Sequence, residues 1–200
     1  METNPATEAL QSPAPEEEIM PDGTANQPQN QAEQQTAFAF AIARIRQSLN
    51  IATLFKTAAA ELRQILKADR VVVFHFNSKS DWKGKFICED VASGWNSILP
   101  TKAYNPCFNH QIAQSYQQGR VQAISDIDNA KISAAHTEIL KKFQIRANLV
   151  VPLLKGKDLW GLLCIHQCSH PRPWKKSEID LVKQIAGHVG VRLQYTSLLM

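Results

Sequence analysis

The side chains best suited to chemistry in this sequence are four cysteines and six histidines. Cys107 is the strongest candidate for a reactive thiol, because His110 and a predicted helix start near residue 107 would both lower the pKa of its thiol. Cys164, His166 and Cys168 alternate along a predicted strand, which allows a metal site but is more typical of buried thiols. A thiol redox sensor is therefore one hypothesis for this chain, and a metal site is a weaker one.

Motifs that would indicate an enzyme are missing from the sequence. It contains no glycine-rich phosphate loop, no HExxH and no GxSxG, and its acidic residues form no obvious close pair. His136 follows Ala134 and Ala135 in a short predicted helix, where a histidine is more often a packed residue than a ligand. We therefore expect a protein that is not an enzyme.

Hydrophobic periodicity predicts the elements that position these residues. On the first predicted strand, Val71, Val73 and His75 share one face, and Val72, Phe74 and Phe76 share the other. The predicted order is a helix from residue 36, a break at 48–50, a second helix, strands at 69–77 and 84–92, an irregular segment 93–145, a strand hairpin over 147–168 and a long helix from residue 176. This order predicts an α+β fold in which terminal helices cover one face of an antiparallel sheet and the irregular segment roofs a pocket on the other face.

Composition divides the chain near residue 36. Residues 1–35 contain seven acidic residues, no Lys or Arg and almost no large apolar side chains, so we expect a disordered acidic tail or linker. Residues 36–200 form the predicted domain, with 11 acidic and 22 basic residues and a net charge of +11. These bases are scattered singly and in pairs, which favours a solvated face over a nucleic-acid site.

The sequence also bounds the cellular setting. No apolar run approaches the ~20 residues that a membrane-spanning helix needs, and the N-terminus lacks the features of a secretory signal. We therefore expect a cytoplasmic protein with reduced cysteines and no membrane partner.

Several motifs together resemble one family. The stretches are "ADRVVVFHFN", "EDVASGW", "NPCF", "GRVQAISDI" and the run from "ANLVVPLL" through "HQCSHPRPW" to "VGV". They are similar to the GAF domain of cyanobacteriochromes, the cyanobacterial relatives of phytochromes, over about residues 36–200. The resemblance implies a central antiparallel sheet of about six strands, flanked by helices, with long N- and C-terminal helices.

The resemblance also implies a cofactor and a mechanism. Members of this family bind a linear tetrapyrrole of the phycocyanobilin type between the sheet and the middle segment, through a cysteine thioether. Light isomerises the pigment, and the terminal helices pass the change to an output domain. The implied partners are a second copy of the chain, paired through those helices, or a signalling protein.

The family's ligand positions map onto this sequence with several departures. The attachment cysteine is replaced by Ala135, while the histidine that follows it is kept as His136. The Asp-Xaa-Cys-Phe motif appears as Asn105, Pro106, Cys107 and Phe108, so an amide replaces the carboxylate. A pocket tyrosine is matched by Tyr116, but the arginine that often precedes it, and holds a propionate, is Ser115. Trp95, in "EDVASGW", completes the predicted ligand set.

These departures leave several hypotheses open. Because alanine has no nucleophile, the usual thioether cannot form at Ala135. The chain is then a sensory or regulatory GAF module with a degenerate pocket, or a photosensor that holds a tetrapyrrole without a covalent bond or through Cys107. A dimerisation or interaction module and the thiol redox sensor are the remaining alternatives.

Overall fold

The computed structural model describes residues 28–48, 50–77, 82–99, 101 and 108–196. Its elements in chain order are α1 (Pro28–Gln47), α2 (Ile51–Leu66), β1 (Arg70–Phe76), β2 (Gly84–Val91), α3 (His110–Gln117), β3 (Gln122–Ile124), α4 (Ala134–Lys142), β4 (Ala147–Lys155), β5 (Asp158–Gln167) and α5 (Lys176–Thr196). The α+β class and the predicted order of helices and strands are confirmed.

The first helix begins earlier than predicted. Pro28 is its first residue, which places the start of α1 within the 1–35 segment that we expected to be a tail. Proline is favoured at the first helical position, and the Gln, Ala and Glu residues that follow are good helix formers. Composition therefore favours a helix here even though few large apolar side chains are present to pack it.

The break predicted between the first two helices is present. The Asn50 side chain caps α2 by accepting a hydrogen bond from the Thr53 backbone N–H at 2.9 Å. At the other end, Lys67 adopts the left-handed conformation, with φ of 50°, and its backbone N–H donates to the Arg63 and Gln64 carbonyls at the end of the helix. These two caps fix α2 between the end of α1 and the start of β1.

Five antiparallel strands form one sheet in the order β2-β1-β5-β4-β3. The prediction of about six strands is therefore too high for the described part of the chain. The irregular segment supplies only β3, three residues that pair with Asn148–Val150, and otherwise forms α3, α4 and loops. Its caps and turns satisfy backbone groups locally, so it does not add further ladder pairs.

The two sides of the sheet have different coverings. We call the side covered by α1, α2 and α5 the helix face, and the side covered by residues 96–99 and 108–145 the insertion face. The helix face buries alternate strand residues against the three helices: Val71, Val73, Leu149, Val151, Leu163 and Ile165. The insertion face buries the intervening residues, which include Val72, Phe76, Val150 and Cys164. The alternation predicted for β1 is confirmed.

The last helix is anchored to the sheet at its start. Trp174 is buried and donates its indole N–H to the Ile124 carbonyl at 3.2 Å. Glu178, in the first turn of α5, accepts from the Lys175 backbone N–H at 2.9 Å and so satisfies a donor at the start of the helix. Among the described helices, none combines the length and apolar character needed to cross a membrane.

Candidate functional site

The insertion face carries a row of aromatic rings that runs from β1 to α3. Phe76 meets Trp82 edge-on, with ring centroids 5.3 Å apart, and lies 4.9 Å from Phe108. Phe108 stacks on Tyr116, with centroids 6.0 Å apart and planes within 10° of parallel. We call these four residues the aromatic row. Parallel ring faces of this kind favour contact with another flat conjugated system.

Tyr116 reaches the row because of how α3 begins and which side it buries. Asn109 caps the helix by accepting from the Ile112 N–H at 2.9 Å. Ala113 and Tyr116, three positions apart, then lie on the buried side of the helix. Burial raises the pKa of the Tyr116 phenol, so the hydroxyl stays protonated at neutral pH and can donate a hydrogen bond.

Arg120 follows α3 and was not singled out by the sequence. Its guanidinium carbon lies 5.7 Å from the Tyr116 ring centroid, and Nη1 donates to Ser115 Oγ at 3.5 Å. Within the described part of the chain, no carboxylate pairs with Arg120. Five other arginines do pair with acids there: Arg44, Arg63, Arg70, Arg146 and Arg172. The Arg120 guanidinium therefore lies beside Ser115, the position at which the resemblance implies an arginine that this chain lacks.

His136 lies on α4, at the first turn of the helix. Ser133 caps α4 by accepting from the His136 backbone N–H at 3.3 Å. The imidazole is half-buried, and this burial lowers the pKa of His136, which keeps the ring neutral near pH 7. Ala135, the position of the missing cysteine, is exposed.

Trp95 follows β2 in the chain, and its side chain lies beside Asp69, the residue that precedes β1. Its side chain hydrogen-bonds the carboxylate of Asp69, which also accepts from the Cys168 and Ser169 backbone N–H groups at 2.8 and 2.9 Å. Burial raises the pKa of Asp69, but these hydrogen bonds outweigh it and hold the pKa below its usual value. Trp95 therefore helps to fix the entry of the chain into the sheet.

A buried ion pair attaches the insertion to the sheet. Arg70 is fully buried, with Nε 3.3 Å from Glu89 Oε1, and its two terminal nitrogens donate to the Phe143 and Asn96 carbonyls at 2.9 and 2.8 Å. Glu89 also accepts from the Ile98 N–H at 3.0 Å. Both ends of the insertion are thus tied to one guanidinium.

Two further polar side chains continue from Arg70 across the sheet. His166 pairs with Arg70 on β1 and with Asn148 on β4, and all three are buried. Burial, with a smaller effect from the Arg70 charge, lowers the pKa of His166 to about 3. We call Arg70, His166 and Asn148 the polar row. The polar row differs from the aromatic row in chemistry, because its members are polar and buried.

The cysteines of the described residues are poor nucleophiles. Cys88, Cys164 and Cys168 are free and buried, and burial raises the pKa of Cys88 and Cys168 to about 11 and that of Cys164 to about 12. No group of three metal-binding side chains occurs among the residues described, so Cys164, His166 and Cys168 do not gather a metal site. Asn105 and Cys107 lie outside the described residues.

The structure thus brings some predicted site residues together and separates others. Phe108 and Tyr116 form a stacked pair, whereas Trp95 belongs to the Asp69 network and His136 to α4. Phe76 and Trp82 join the stacked pair without having been predicted as site residues. The alternation of β1 gave the face of Phe76, but Trp82 lay in apparent turn sequence, where periodicity carries no signal.

Comparison with known proteins decides the family. Residues 50–193 match the GAF domain family. The chain belongs to this family. Within it, the GAF domain is of the cyanobacteriochrome and phytochrome type. A crystal structure of the cyanobacteriochrome receptor PixJ is 36% identical, covers 73% of this chain and 96% of its own, and superposes with a TM-score of 0.69.

Two other relatives extend this comparison. A far-red absorbing dark state solved with bound biliverdin IXa is 29% identical, covers 80% of this GAF chain and 99% of its own, and has a TM-score of 0.74. A protein of Synechocystis sp. PCC 6803 named as a methyl-accepting chemotaxis protein is 42% identical over 156 residues, or 78% of this chain. The chain spans 15% of the length of that relative.

Proposed function

We propose that this GAF domain is a non-enzymatic sensory or regulatory module whose insertion face receives a linear tetrapyrrole without a bond to residue 135. The aromatic row carries the proposal, because the partly exposed Phe108 ring, stacked on the buried Tyr116 ring, offers a flat apolar surface beside the sheet. A relative of the same fold holds biliverdin, a flat conjugated molecule with two carboxylates.

The residues beside the aromatic row suit such a ligand. Arg120 lacks a carboxylate partner in the described residues and could pair with a ligand carboxylate, supplying the charge that Ser115 lacks. Tyr116 can donate from its hydroxyl, and the neutral ring of His136 can either donate or accept. We propose Asn105, Cys107, Phe108, Tyr116, His136 and Trp95 as the ligand set.

Attachment is restricted by chemistry. Ala135 cannot form a thioether, and the buried, protonated thiols of Cys88, Cys164 and Cys168 are poorly suited to one. A tetrapyrrole is then held either without a covalent bond or through Cys107. Reduced thiols of this kind fit a cytoplasmic protein.

Co-expression with a tetrapyrrole-producing pathway tests this proposal. We expect a coloured protein, and zinc-induced fluorescence on a denaturing gel reports whether the pigment is covalently attached. Fluorescence that disappears in Cys107→Ala, but persists in the matched control Cys168→Ala, would identify Cys107 as the attachment site. Pigment that separates from the protein on the denaturing gel would indicate non-covalent binding, and a colourless protein would contradict the tetrapyrrole site.

Signalling through the terminal helices is the second part of the proposal. Phe40 on α1 and Tyr195 on α5 are 66% and 61% exposed, so each terminal helix presents a large side chain with apolar surface that a partner could cover. We expect these positions to contact a second copy or an output protein. Sedimentation of the wild type and of Phe40→Asp tests pairing: we expect a dimeric mass for the wild type and a lower mass for the variant. The same sedimenting mass in both proteins would contradict pairing through Phe40.

A further inference from the structure

A groove of about 310 Å³ lies between α5 and the outer edge of β4, and no member of the aromatic row lines it. Its walls are mostly apolar or glycine: Gly119, Val121, Val151, Pro152, Leu154, Gly156, Lys183, Ala186, Gly187, Gly190, Val191 and Gln194. Val191 is 54% exposed at its rim. We call this feature the β4–α5 groove.

The groove is open because the sheet ladder stops early at this edge. β3 pairs only with Asn148–Val150, so β4 has no neighbour on its outer side from Val151 to Lys155 in the described part of the chain. Pro152 has no N–H to donate, which prevents β3 from continuing along β4. An unpaired strand edge beside apolar side chains is a surface suited to another segment of chain.

Two glycines of α5 shape the floor of the groove. A Cβ at Gly190 would lie 2.5 Å from the Leu154 carbonyl oxygen, so close packing of α5 on β4 requires glycine there. At Gly187 no atom lies within 4 Å of a built Cβ, so packing within the domain does not explain this glycine. A glycine inside a helix lowers stability relative to alanine, so Gly187 leaves space open in the groove although an alanine there would stabilise the helix.

Lysines outnumber acidic residues around the groove, where Asp158 is the acid next to Lys157. Lys183 lines it, and Lys155 and Lys157 flank Gly156 at its end. None of the described residues that line the groove is acidic. An occupant of complementary chemistry is therefore an acidic segment that also carries a few apolar side chains.

We propose that residues 16–21, "EEEIMP", dock in the β4–α5 groove of the same chain. Residues 1–27 contain six acids and no Lys or Arg, and 16–20 join three consecutive glutamates to Ile19 and Met20. The glutamates match the three lysines, and the two apolar side chains match the groove walls. Docking would cover the open edge of β4 and does not depend on a bound tetrapyrrole.

The length of the intervening chain permits this contact. Glu18 is ten Cα-to-Cα steps from Pro28, which span up to about 33–36 Å when extended. α1 is 20 residues long, about 30 Å, and its end lies against α5, the helix that forms one wall of the groove, since the Ser48 carbonyl accepts a hydrogen bond from Arg192 at 2.8 Å. The acidic segment can therefore run back along α1 to reach the groove.

A zero-length carbodiimide, which joins a carboxylate directly to a lysine amine, tests the contact in the full-length chain. Mass spectrometry should find Glu16, Glu17 or Glu18 linked to Lys155, Lys157 or Lys183, with at least a fivefold loss of these links in 0.5 M NaCl. Equal linkage to the exposed Lys131 and Lys142 would overturn the proposal, as would no linkage at all.

Charge reversal and isotope mixing complete the test. Reversal of the three glutamates to lysine, or of the three groove lysines to glutamate, should shift the amide signal of Gly190, which lines the groove, but not that of Gly94, and combining both reversals should restore it. The Lys131→Glu/Lys142→Glu control should leave these signals unchanged. In a mixture of ¹⁴N- and ¹⁵N-labelled chains we expect links within one isotope only, and mixed links would overturn docking within one chain in favour of a second copy.

Discussion

The two faces of the sheet are built on opposite principles. The helix face is a continuous aliphatic core, in which alternate residues of β1, β4 and β5 meet apolar stripes of regular helices. The insertion face combines an aromatic row with a buried polar row and is covered by short helices joined by loops. A regular core gives the helix face its stability, and the irregular covering gives the insertion face side chains that a ligand can use.

The difference predicts how each face should respond to substitution. On the helix face, energy is spread over many small apolar contacts, so single losses should scale with the volume removed. On the insertion face it is concentrated in a few polar groups, such as Arg70, whose removal leaves buried partners unsatisfied.

Arg70→Met should cause the largest loss, about 3–5 kcal/mol in the free energy of unfolding, because Glu89 would remain buried without its partner. Chemical denaturation measures this loss. Adding Glu89→Gln should recover part of it by removing the unpaired charge. Arg63→Met is the matched control, since the Arg63–Asp90 pair is partly exposed and should be worth about 0–1 kcal/mol. Equal losses in the two single variants would contradict the comparison between faces.

Leu149→Ala tests the helix face. Leu149 is fully buried on β4, so truncation should lower the free energy of unfolding by about 2–5 kcal/mol through lost transfer energy and a cavity. Phe108 on the insertion face is only half-buried, so Phe108→Leu should lower the free energy of unfolding less, by about 1 kcal/mol. The same substitution should weaken tetrapyrrole binding. A loss for Phe108→Leu as large as that for Leu149→Ala would contradict this difference between the two faces.

The polar row should make stability depend on pH. The pKa of His166 is about 3 in the folded chain and about 6.5 when unfolded, so only the unfolded state binds a proton between these values. Stability from this group is therefore complete above about pH 6.5 and falls by about 1.4 kcal/mol per pH unit below it. Urea unfolding at pH 7.5 and pH 5 should show this decline, with a shallower slope in His166→Gln than in the wild type. The exposed His170→Gln control should retain the wild-type slope.

Two equivalent helix caps give the smallest and most direct comparison. Asn50 caps α2 on the helix face, and Asn109 caps α3 on the insertion face, each through a 2.9 Å hydrogen bond. Asn50→Ala should cost about 1 kcal/mol of global stability. Asn109→Ala should instead increase hydrogen exchange within α3 alone, because this eight-residue helix can open locally. Global destabilisation by both variants would mean that the insertion unfolds together with the sheet.

Much of the fold was determined by the sequence itself. Period-two alternation fixed the two faces of β1, the hairpin signature placed β4 and β5, and helical spacing with Asn50 as a cap separated α1 from α2. These signals are local, so they are visible without knowledge of the rest of the chain. The family resemblance, and the alanine at position 135, also followed from residues alone.

Tertiary structure alone decided which distant residues meet. Arg70 reaches Asn96 and Phe143, Trp82 joins Phe76 and Phe108, and Arg120 turns back over Tyr116 after the chain leaves α3. No periodicity links these positions, because their contacts depend on how the irregular insertion closes over the sheet. The same holds for the β4–α5 groove, which exists only because β3 stops at Gln122 while β4 continues to Lys155. Sequence thus determined the regular layers, and the packing of irregular chain against them determined the surfaces available for binding.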